Sequence, residues 1–381
     1  MRILHISPFF YPSIGGIETF CKELSIRTAK LGHEVHVITF TKGEPSYKNL
    51  DEIVIHRIQP LLSCFKARFS PEVKKLIKDI CPDIVHIQAT APITQEFSFV
   101  KGYKYLATYH NDPVLTSRLD YKLAVWLYKQ LLFPRFYKEV DRVICPSVSL
   151  LQTSNFLKSI PEEKKGVIPN GVDVSVFTPS KKNREYIRNK LDLTAKKVGI
   201  FVGSMEKWHA YKGINVLLTA LSKFDEVDIN FIFIGDGELR PKYEEKARRL
   251  IDMNVVKFLG QVDDKTLIEC YQASDFFVLP SIGVECAPIV LLEALACGLP
   301  IITTNIPGPS DIVEEGINGF AVKPNNPEEI SEAIKKLVTD ENRLERISFN
   351  ARKCAVEKYD WAKIVDVYVK EYEILRNINR L

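Results

Sequence analysis

Two series of alternating strand-like and helix-like segments constrain the fold of this chain more than any other feature of its sequence. In the first series, short apolar runs alternate with longer stretches of helical pattern. Strands are predicted at residues 2–7, 34–40, 53–58, 83–88, 103–109 and 142–145. Helices are predicted at residues 17–31, 71–78, 121–140 and 148–157. Alternation of this kind predicts a parallel sheet that is covered by helices on both faces.

A second series begins after a turn signal at Asn170-Gly171 and the polar segment 177–180. Its strands are predicted at residues 198–202, 228–234, 255–259, 275–279 and 300–303. Its helices are predicted at residues 213–223, 238–251, 264–271, 288–297, 328–339 and 341–357. We therefore predict two doubly wound α/β domains, residues 1–178 and 179–359, which leave a cleft between the carboxyl ends of their strands. A last amphipathic helix, within residues 360–381, is expected to cross back to the first domain.

Length and composition exclude several classes of protein. A chain of 381 residues exceeds the roughly 250–300 residues at which a single core stops growing. The net charge of +4 is too small to indicate a nucleic-acid partner. No apolar run approaches the roughly 18 residues that a membrane span needs, and the eight cysteines form no CxxC pair. The sequence therefore predicts a soluble, cytoplasmic protein that requires no metal ion or other cofactor.

Four loops that follow predicted strands carry the residues with chemical potential. Ligands of open α/β sheets bind outside the carboxyl ends of the strands, so these loops form the candidate site. They are the loop ending in Gly15-Gly16, the loop of residues 203–213 with Lys212, the turn Gly235-Asp236-Gly237, and residues 280–288 with Glu285. The helix after the fourth loop starts with free amide groups near Ile289 and Val290 and carries Glu293.

Taken singly, these residues leave alternatives open. Gly15-Gly16 is as typical of a tight turn as of a phosphate contact. Lys212 is either a surface lysine or, as we prefer, a diphosphate clamp, because a cation at a helix start opposes the helix dipole. Glu293, on an apolar helix, either reaches solvent or meets a ligand. Together, the glycines, the lysine and two glutamates favour a sugar nucleotide, whose diphosphate takes cations and amides and whose hydroxyls take carboxylates.

These motifs and their order resemble the retaining family-4 glycosyltransferases of the GT-B fold, and the resemblance covers nearly the whole chain. The first-domain motifs are His5-Ile6-Ser7-Pro8, Gly15-Gly16-Ile17-Glu18, Leu31-Gly32-His33-Glu34-Val35, Asp83-Ile84-Val85-His86 and Thr108-Tyr109-His110. The later motifs are Ile168-Pro169-Asn170-Gly171-Val172-Asp173, Lys212-Gly213, Gly235-Asp236-Gly237, Phe258-Leu259-Gly260 and Leu279-Pro280-Ser281. An E-x7-E pair, Glu285 and Glu293, completes the set.

The resemblance implies a role for each site residue. It implies that Glu285 holds hydroxyls of the transferred sugar, that Glu293 binds ribose hydroxyls, and that His110 lies near the anomeric carbon. The diphosphate would meet Lys212 and Gly16. The remaining donor contacts implied are the amides around Ile289 and Val290, the glycine turn at Gly235, and the backbone near Val262, which would read the base.

Two positions depart from the family pattern. Most members have an arginine where Ser204 stands, and a serine cannot supply that second diphosphate cation. Lys207 is a nearby candidate for that charge, and the longer insert Trp208-His209-Ala210-Tyr211, which follows it, leaves the direction of its side chain open. The usual glycine-rich segment after the first glutamate is here Cys286-Ala287-Pro288. Pro288 removes one amide donor, although that loss costs little at the first helical position.

The function predicted from this resemblance is retaining transfer of a sugar from a UDP- or GDP-linked donor to a glycan or lipid-linked acceptor. A nucleotide-sugar epimerase of the same fold and a non-catalytic GT-B partner subunit are the alternatives. Basic and aromatic residues interleave from Arg118 to Val140. That segment reads either as an ordinary sheet-covering helix or as a peripheral contact with anionic lipid on the inner face of the membrane.

Overall fold

The computed structural model describes residues 1–13, 15–64, 67–90, 99–113, 119–224, 228–283 and 285–378. The chain divides into two compact units. The first unit comprises Met1–Asn170 and Ala362–Leu381, and the second comprises Gly171–Trp361. In the described part of the chain, none of the helices combines the length and apolarity that crossing a membrane requires.

The first unit is built on an eight-stranded sheet. The strands of this unit are β1 (Arg2–Ile6), β2 (Glu34–Phe40), β3 (Ser46–Leu50), β4 (Ile53–Ile58), β5 (Leu62–Cys64), β6 (Ala67–Phe69), β7 (Ile84–Thr90), β8 (Lys104–Asn111), β9 (Arg142–Cys145) and β10 (Lys165–Val167). Strands β5 and β6 pair with each other and form a separate two-stranded sheet. The sheet order is β10-β9-β8-β7-β1-β2-β4-β3. Its helices are α1 (Gly16–Lys30), α2 (Glu72–Ile80), α3 (Leu119–Leu127), α4 (Phe133–Glu139) and α5 (Val148–Thr153). All the sheet's pairs are parallel except β3 with β4.

The second unit is built on a six-stranded parallel sheet. Its strands are β11 (Lys197–Val202), β12 (Ile229–Ile234), β13 (Val256–Gly260), β14 (Phe276–Leu279), β15 (Ile301–Thr304) and β16 (Gly319–Val322). Its helices are α6 (Lys181–Lys190), α7 (Ile214–Leu221), α8 (Arg240–Leu250), α9 (Asp264–Ala273), α10 (Ile289–Ala296), α11 (Pro309–Ile312), α12 (Pro327–Val338) and α13 (Glu341–Cys354). The sheet order β13-β12-β11-β14-β15-β16 is the Rossmann order, which reverses direction between β11 and β14.

The boundary between the units lies eight residues before the predicted one. The segment after Gly171 is tied to the second unit, because the Val172 amide donates to the Tyr359 carbonyl at 2.8 Å and the Trp361 amide donates to the Val172 carbonyl at 3.2 Å. The Arg352 guanidinium also donates to the carbonyls of Val174 and Phe177. The predicted boundary at residue 178 was placed at the segment 177–180, and a local sequence pattern does not show these long-range bonds.

The chain ends in helix α14 (Trp361–Asn377), which lies within the first unit from Ala362 onward. The Tyr372 hydroxyl is 2.7 Å from His86 Nδ1, and both residues are buried. The Arg142 guanidinium donates to the Glu371 carboxylate at 3.1 Å. These contacts attach the end of the chain to strands β7 and β9.

Two predicted helices of the first unit are wrong in extent. The helix predicted at residues 121–140 is interrupted by a π-helical turn at Tyr128–Leu132, after which α4 begins with Pro134 in its first turn. A proline has no amide to donate to the preceding turn, so regular α-helical hydrogen bonding cannot run through it. The helix predicted at residues 148–157 ends at Thr153, because the Ser154 hydroxyl accepts from the amides of Phe156 and Leu157.

Candidate functional site

The centre of the candidate site lies in the second unit, where the strand order reverses. The loops after β11 and β14 leave the sheet side by side at this point, which is the usual ligand position in open α/β sheets. Lys212 Nζ, from the first loop, lies 2.8 Å from Glu285 Oε1, from the second. Their side chains are only 14% and 9% exposed. The Ser281 hydroxyl donates to the same glutamate oxygen at 3.0 Å. The structure thus brings two of the predicted catalytic residues into direct contact.

The two loops are held together by their backbones as well. The Ile282 amide donates to the Tyr211 carbonyl at 2.6 Å. Gly213 adopts a left-handed φ of +73°, and a Cβ atom at this position would lie 2.0 Å from the Pro280 carbonyl oxygen. Only glycine tolerates both conditions. The backbone next to Lys212 is therefore fixed against the loop that carries Glu285.

The segment before Lys212 contains Ser204, the position at which this chain departs from the arginine-containing pattern. Residues Lys207–Lys212 form a 3₁₀ helix that ends at Gly213. Ser204 Oγ lies 2.9 Å from His209 Nδ1 and accepts the Glu206 amide at 3.3 Å. Ser204 therefore organises its own loop, and Lys207 is an exposed residue at the start of the 3₁₀ helix. The structure places Lys212, and not Lys207, beside Glu285.

Glu293 lies half-buried on α10 and has a definite partner. The Tyr271 hydroxyl, from α9, donates to Glu293 Oε2 at 2.9 Å. Burial raises the pKa of the Glu293 carboxyl to about 7, while the hydrogen bond from Tyr271 acts in the opposite direction. This partner argues against the reading in which Glu293 reaches solvent at the helix edge. Glu293 is instead a carboxyl group held in place, whose ionised form gains from further hydrogen-bond donors.

In the turn after β12, close packing explains why two of the residues are glycines. A Cβ atom on Gly235 would lie 2.0 Å from the Gly203 carbonyl oxygen, and one on Gly237 would lie 2.3 Å from the Glu206 amide nitrogen. Close packing against the loop after β11 therefore requires both glycines. Val262 lies beyond β13 and packs partly buried against the core of the unit.

The start of α10 supplies the predicted amide groups. Pro288 is the N-cap residue, with an extended conformation, and Ile289 is the first helical residue. Ile289 and Val290 are both half-buried. Because the first amides of a helix have no intrahelical acceptor, this terminus, which begins four residues after Glu285, can bind an anion.

In the first unit, the glycine pair begins α1 as predicted, but an acidic side chain lies over it. Gly15 is the N-cap residue with an extended φ of 177°. A Cβ atom there would lie 2.3 Å from Glu18 Oε2. The carboxylate favourably meets the positive end of the helix dipole. A diphosphate that contacts Gly15 and Gly16 would have to displace Glu18 from this position.

His110 lies inside β8, one residue before the strand ends, because β8 extends two residues beyond the prediction. Its Nε2 atom is 2.8 Å from Gln88 Oε1, and Gln88 Nε2 is 3.3 Å from His5 Nδ1. The Phe20 ring packs edge-on against His110 at 5.2 Å between centroids. Burial lowers the pKa of His110 to about 3, so the imidazole is neutral at physiological pH.

Sequence reasoning assigned no role to three residues that contact predicted site residues, namely Ser281, Tyr271 and Gln88. None belongs to a motif that by itself indicates chemistry. Tyr271 lies 22 residues before Glu293, and only the packing of α9 against α10 brings them together. Gln88 lies near His110 because of the register of β7 with β8, in which Gln88 pairs with Thr108, two residues before His110. A sequence pattern does not specify that register. Among the residues that the structure describes, no group of three or more His, Cys, Asp and Glu residues is arranged to hold a metal ion.

Two family models match the chain, one in each half. The model described as Glycosyltransferase Family 4 matches residues 14–176. The model described as Glycosyl transferases group 1 matches residues 183–354. The two matched ranges contain His110 in the first case and Lys212, Glu285 and Glu293 in the second.

Similar proteins cover nearly the whole chain. It is 28% identical to the O-antigen chain mannosyltransferase C of Escherichia coli, over 98% of this chain and 99% of that protein. It is 27% identical to the phosphatidyl-myo-inositol mannosyltransferase of Mycolicibacterium smegmatis, over 98% and 94%. The crystal structure of Anabaena HepE in complex with UDP-glucose has the same fold, with a TM-score of 0.78, 21% identity, and coverage of 98% of this chain and 100% of that chain.

The fold, the motifs and these matches define the class of protein. The chain belongs to the family-4-like glycosyltransferases of the GT-B fold, in which two Rossmann-like domains make up the molecule.

Proposed function

We propose that this glycosyltransferase moves a sugar from a UDP- or GDP-linked donor to a glycan or lipid-linked acceptor, with retention of the anomeric configuration. The observation that carries the proposal is the Lys212–Glu285 pair at the reversal of strand order, with Glu293 held by Tyr271 on the neighbouring helix. A cation, free helix amides and two carboxylates are the groups that a nucleotide sugar needs.

Each group acts on a different part of the donor. Lys212 and the amides at Ile289 and Val290 bind the diphosphate, while Glu285 accepts from hydroxyls of the sugar and Glu293 accepts from the ribose hydroxyls. In the free protein, Glu285 neutralises Lys212 at 2.8 Å. The arriving diphosphate provides a stronger counter-charge for the lysine, which leaves the glutamate oxygens available to the sugar.

The chemical step follows from the charge that develops during transfer. The bond between the anomeric carbon and the diphosphate oxygen breaks as the acceptor oxygen bonds to the same face of the sugar. The departing phosphate oxygen takes the acceptor proton, so we assign no protein general base. Negative charge grows on the leaving diphosphate, and Lys212 and the helix amides stabilise it. Preorganised donors of this kind contribute about 3–4 kcal/mol each in other enzymes.

A screen of nucleotide sugars tests the proposed donor and stereochemistry. The protein is incubated with UDP- and GDP-hexoses, with and without glycan acceptors, and the release of nucleoside diphosphate is measured. We expect one donor to be cleaved and NMR of the product to show the donor's anomeric configuration. An inverted product would reject the retaining mechanism. An interconverted sugar nucleotide without transfer would identify an epimerase, and no cleavage or binding of any donor would reject the proposed function.

The similar proteins and one surface together support the proposed acceptor. The two mannosyltransferases named above are described as acting on an O-antigen chain and on phosphatidyl-myo-inositol. In this chain, Leu123 and Trp126 on α3 are each 57% exposed, and Leu131 in the π-helical turn is 68% exposed. Lys122 and Lys129 lie in the same segment. We propose that this exposed face contacts anionic lipid and so presents the enzyme to a lipid-linked acceptor.

The other side of the same segment packs against the first unit through Tyr128, Phe133 and Phe136, which are buried. This side fits the interpretation as a sheet-covering helix, while Arg118 lies outside the described residues. The proposed membrane contact of the exposed side is tested by vesicle flotation at low salt. We expect binding to vesicles that contain phosphatidylglycerol and its loss in a Trp126→Ser, Leu131→Ser variant. Phe349→Ser, at an exposed position of α13, is the matched control. Equal binding of all three proteins would reject the membrane contact.

A further inference from the structure

Gln88 is a fully buried glutamine that lies between two imidazoles of the first unit. It stands on β7, whose neighbours in the sheet are β1, which carries His5, and β8, which carries His110. Gln88 Oε1 is 2.8 Å from His110 Nε2, and Gln88 Nε2 is 3.3 Å from His5 Nδ1. One side chain therefore contacts both histidines, from the strand between them.

An amide is the side chain that suits this position. Its oxygen only accepts hydrogen bonds and its nitrogen only donates them, so it assigns opposite roles to the two rings. His110 Nε2 must carry a proton to donate to the oxygen. His5 Nδ1 must be without a proton to accept from the nitrogen. Each imidazole is thereby restricted to a single neutral tautomer.

The surroundings keep the histidines neutral. Burial lowers the pKa of His5 and of His110 to about 3. His86, on β7, is also buried and neutral, with Thr108 Oγ1 at 2.8 Å from its Nε2 and Tyr372 at 2.7 Å from its Nδ1. Two further titratable groups lie near this cluster. The Tyr368 ring on α14 stacks on His86 at 5.7 Å between centroids, and Cys21 on α1, a buried thiol, interacts with Tyr372. No carboxylate is among these neighbours of His110 in the described structure.

We propose that Gln88 is a positioning residue for the reaction, because it holds His110 as the tautomer with the proton on Nε2 and leaves Nδ1 as a hydrogen-bond acceptor. The inference rests on the proposed function and on the position near the anomeric carbon that the family resemblance implies for His110. In that position, Nδ1 can accept from a hydroxyl of the transferred sugar. The alternative tautomer would present a donor to that hydroxyl, and a protonated ring would place a positive charge next to the developing oxocarbenium ion.

Two substitutions separate positioning from a merely structural role. Gln88→Met keeps the volume but removes both hydrogen bonds, and we expect kcat to fall at least tenfold with little change in the donor KM. Gln88→Glu places a carboxylate beside His110, which favours the charged imidazolium. We expect its kcat to be low at acid pH and to rise as His110 loses its proton, whereas the wild-type kcat shows no such dependence on His110.

Asn230→Leu is the control for loss of a buried amide. Asn230 is buried in the second unit, where it likewise bridges two partners, the Ala195 amide and the Asn254 carbonyl. We expect this variant to lose stability without a new pH dependence of kcat. If Gln88→Met lowers stability alone and leaves kcat unchanged in the folded fraction, then Gln88 is structural and the proposal is wrong.

Nitrogen-15 NMR of labelled histidine tests the tautomer without any donor or turnover. His110→Gln assigns the resonances of residue 110. We expect wild-type His110 to be neutral with its proton on Nε2, and Gln88→Glu to shift it toward the imidazolium. A proton on Nδ1 of wild-type His110 would overturn the inference, even if sugar transfer is established. A correct tautomer in a protein that cleaves no donor would instead reject the proposed function alone.

Discussion

At the scale of single residues, the protonation of Glu293 is the most distinctive property of the site. Burial raises the pKa of its carboxyl from the ordinary value of 4.5 to about 7 in the folded protein. The folded state therefore binds the proton more tightly than the unfolded state does between these two pH values. The free energy of unfolding should decrease as pH rises from 4.5 to 7, by at most about 3 kcal/mol from this group.

Glu293→Gln should remove that pH dependence, because glutamine mimics the protonated carboxyl at every pH. Urea unfolding at pH 5 and pH 7.5 measures the effect as the difference between wild type and variant. We expect the variant to gain stability relative to wild type at the higher pH. The same substitution should weaken donor binding about tenfold at pH 7.5, since an amide accepts less strongly from ribose hydroxyls than a carboxylate does. Parallel stability curves would show that Glu293 is ionised at both pH values.

Lys212 and Lys207 provide a matched comparison of two cations in one short helix. Lys212→Met should weaken binding of the nucleoside diphosphate by 10- to 100-fold, because it removes the cation and leaves the Glu285 carboxylate to repel the phosphates. Lys207→Met should change the affinity less than threefold, since Lys207 is exposed and it is Lys212 that forms the ion pair with Glu285. Isothermal titration calorimetry measures both. If Lys207→Met has the larger effect, then Lys207 supplies the charge of the missing arginine.

At the scale of elements, the contact between the loops after β11 and β14 depends on Gly213. Gly213→Ala places a methyl group 2.0 Å from the Pro280 carbonyl oxygen and also strains a left-handed φ of +73°. Gly316→Ala isolates the second effect, because Gly316 has a φ of +68° and no atom within 4 Å of the added methyl. The conformational cost alone is about 1–2 kcal/mol.

We expect Gly213→Ala to lower the free energy of unfolding clearly more than Gly316→Ala does, and to weaken donor binding as Lys212 moves away from Glu285. Urea denaturation followed by circular dichroism gives the first comparison, and calorimetric titration of the nucleotide gives the second. Equal destabilisation by the two substitutions would mean that the loops can separate at little cost.

Local pattern predicted most elements but not their irregularities. The buried parallel strands were predictable because short apolar runs such as Phe276–Leu279, which alternate with longer helical patterns, are typical of such strands. Strand β3 was missed because Ser46–Leu50 is an exposed edge strand with a polar sequence and no apolar face. The π-helical turn at Tyr128–Leu132 is a single turn with i→i+5 bonds, and a shift this short is not visible in the periodicity of the sequence.

At the scale of the whole molecule, the end of the chain stabilises its beginning. Tyr372 on α14 bonds to His86, which lies 286 residues earlier in β7. Tyr372→Phe leaves a buried ring nitrogen without its partner, which costs about 1–3 kcal/mol. We expect hydrogen exchange of the β7 and β8 amides to accelerate while that of β11 and β14 does not change. Tyr186→Phe, at an exposed position in α6, serves as the control. Uniform acceleration in both units would show that they unfold as one.

There is a physical reason why the sequence predicts some residues of the candidate site while only the structure shows their partners. Lys212 and Glu293 were predicted because a charge in a dipole-opposed or apolar setting is visible in the sequence itself, and Glu285 because it lies in a loop after a predicted strand. Their partners were not found, because Tyr271 and Ser281 are ordinary residues until packing brings them within hydrogen-bond distance. The direct bond from Lys212 to Glu285 likewise depends on the order of the strands, which sequence patterns do not specify.

Glu285→Gln is the most direct test of whether the Lys212–Glu285 pair is the donor-binding centre of a glycosyltransferase. The donor identified in the screen is incubated with wild type, with this variant, and with Glu245→Gln, which alters an exposed glutamate of α8. We expect Glu285→Gln to lower the rate of sugar transfer at least 100-fold while circular dichroism shows a folded protein, and Glu245→Gln to transfer at the wild-type rate. A folded Glu285→Gln variant with wild-type turnover would contradict this role of the pair.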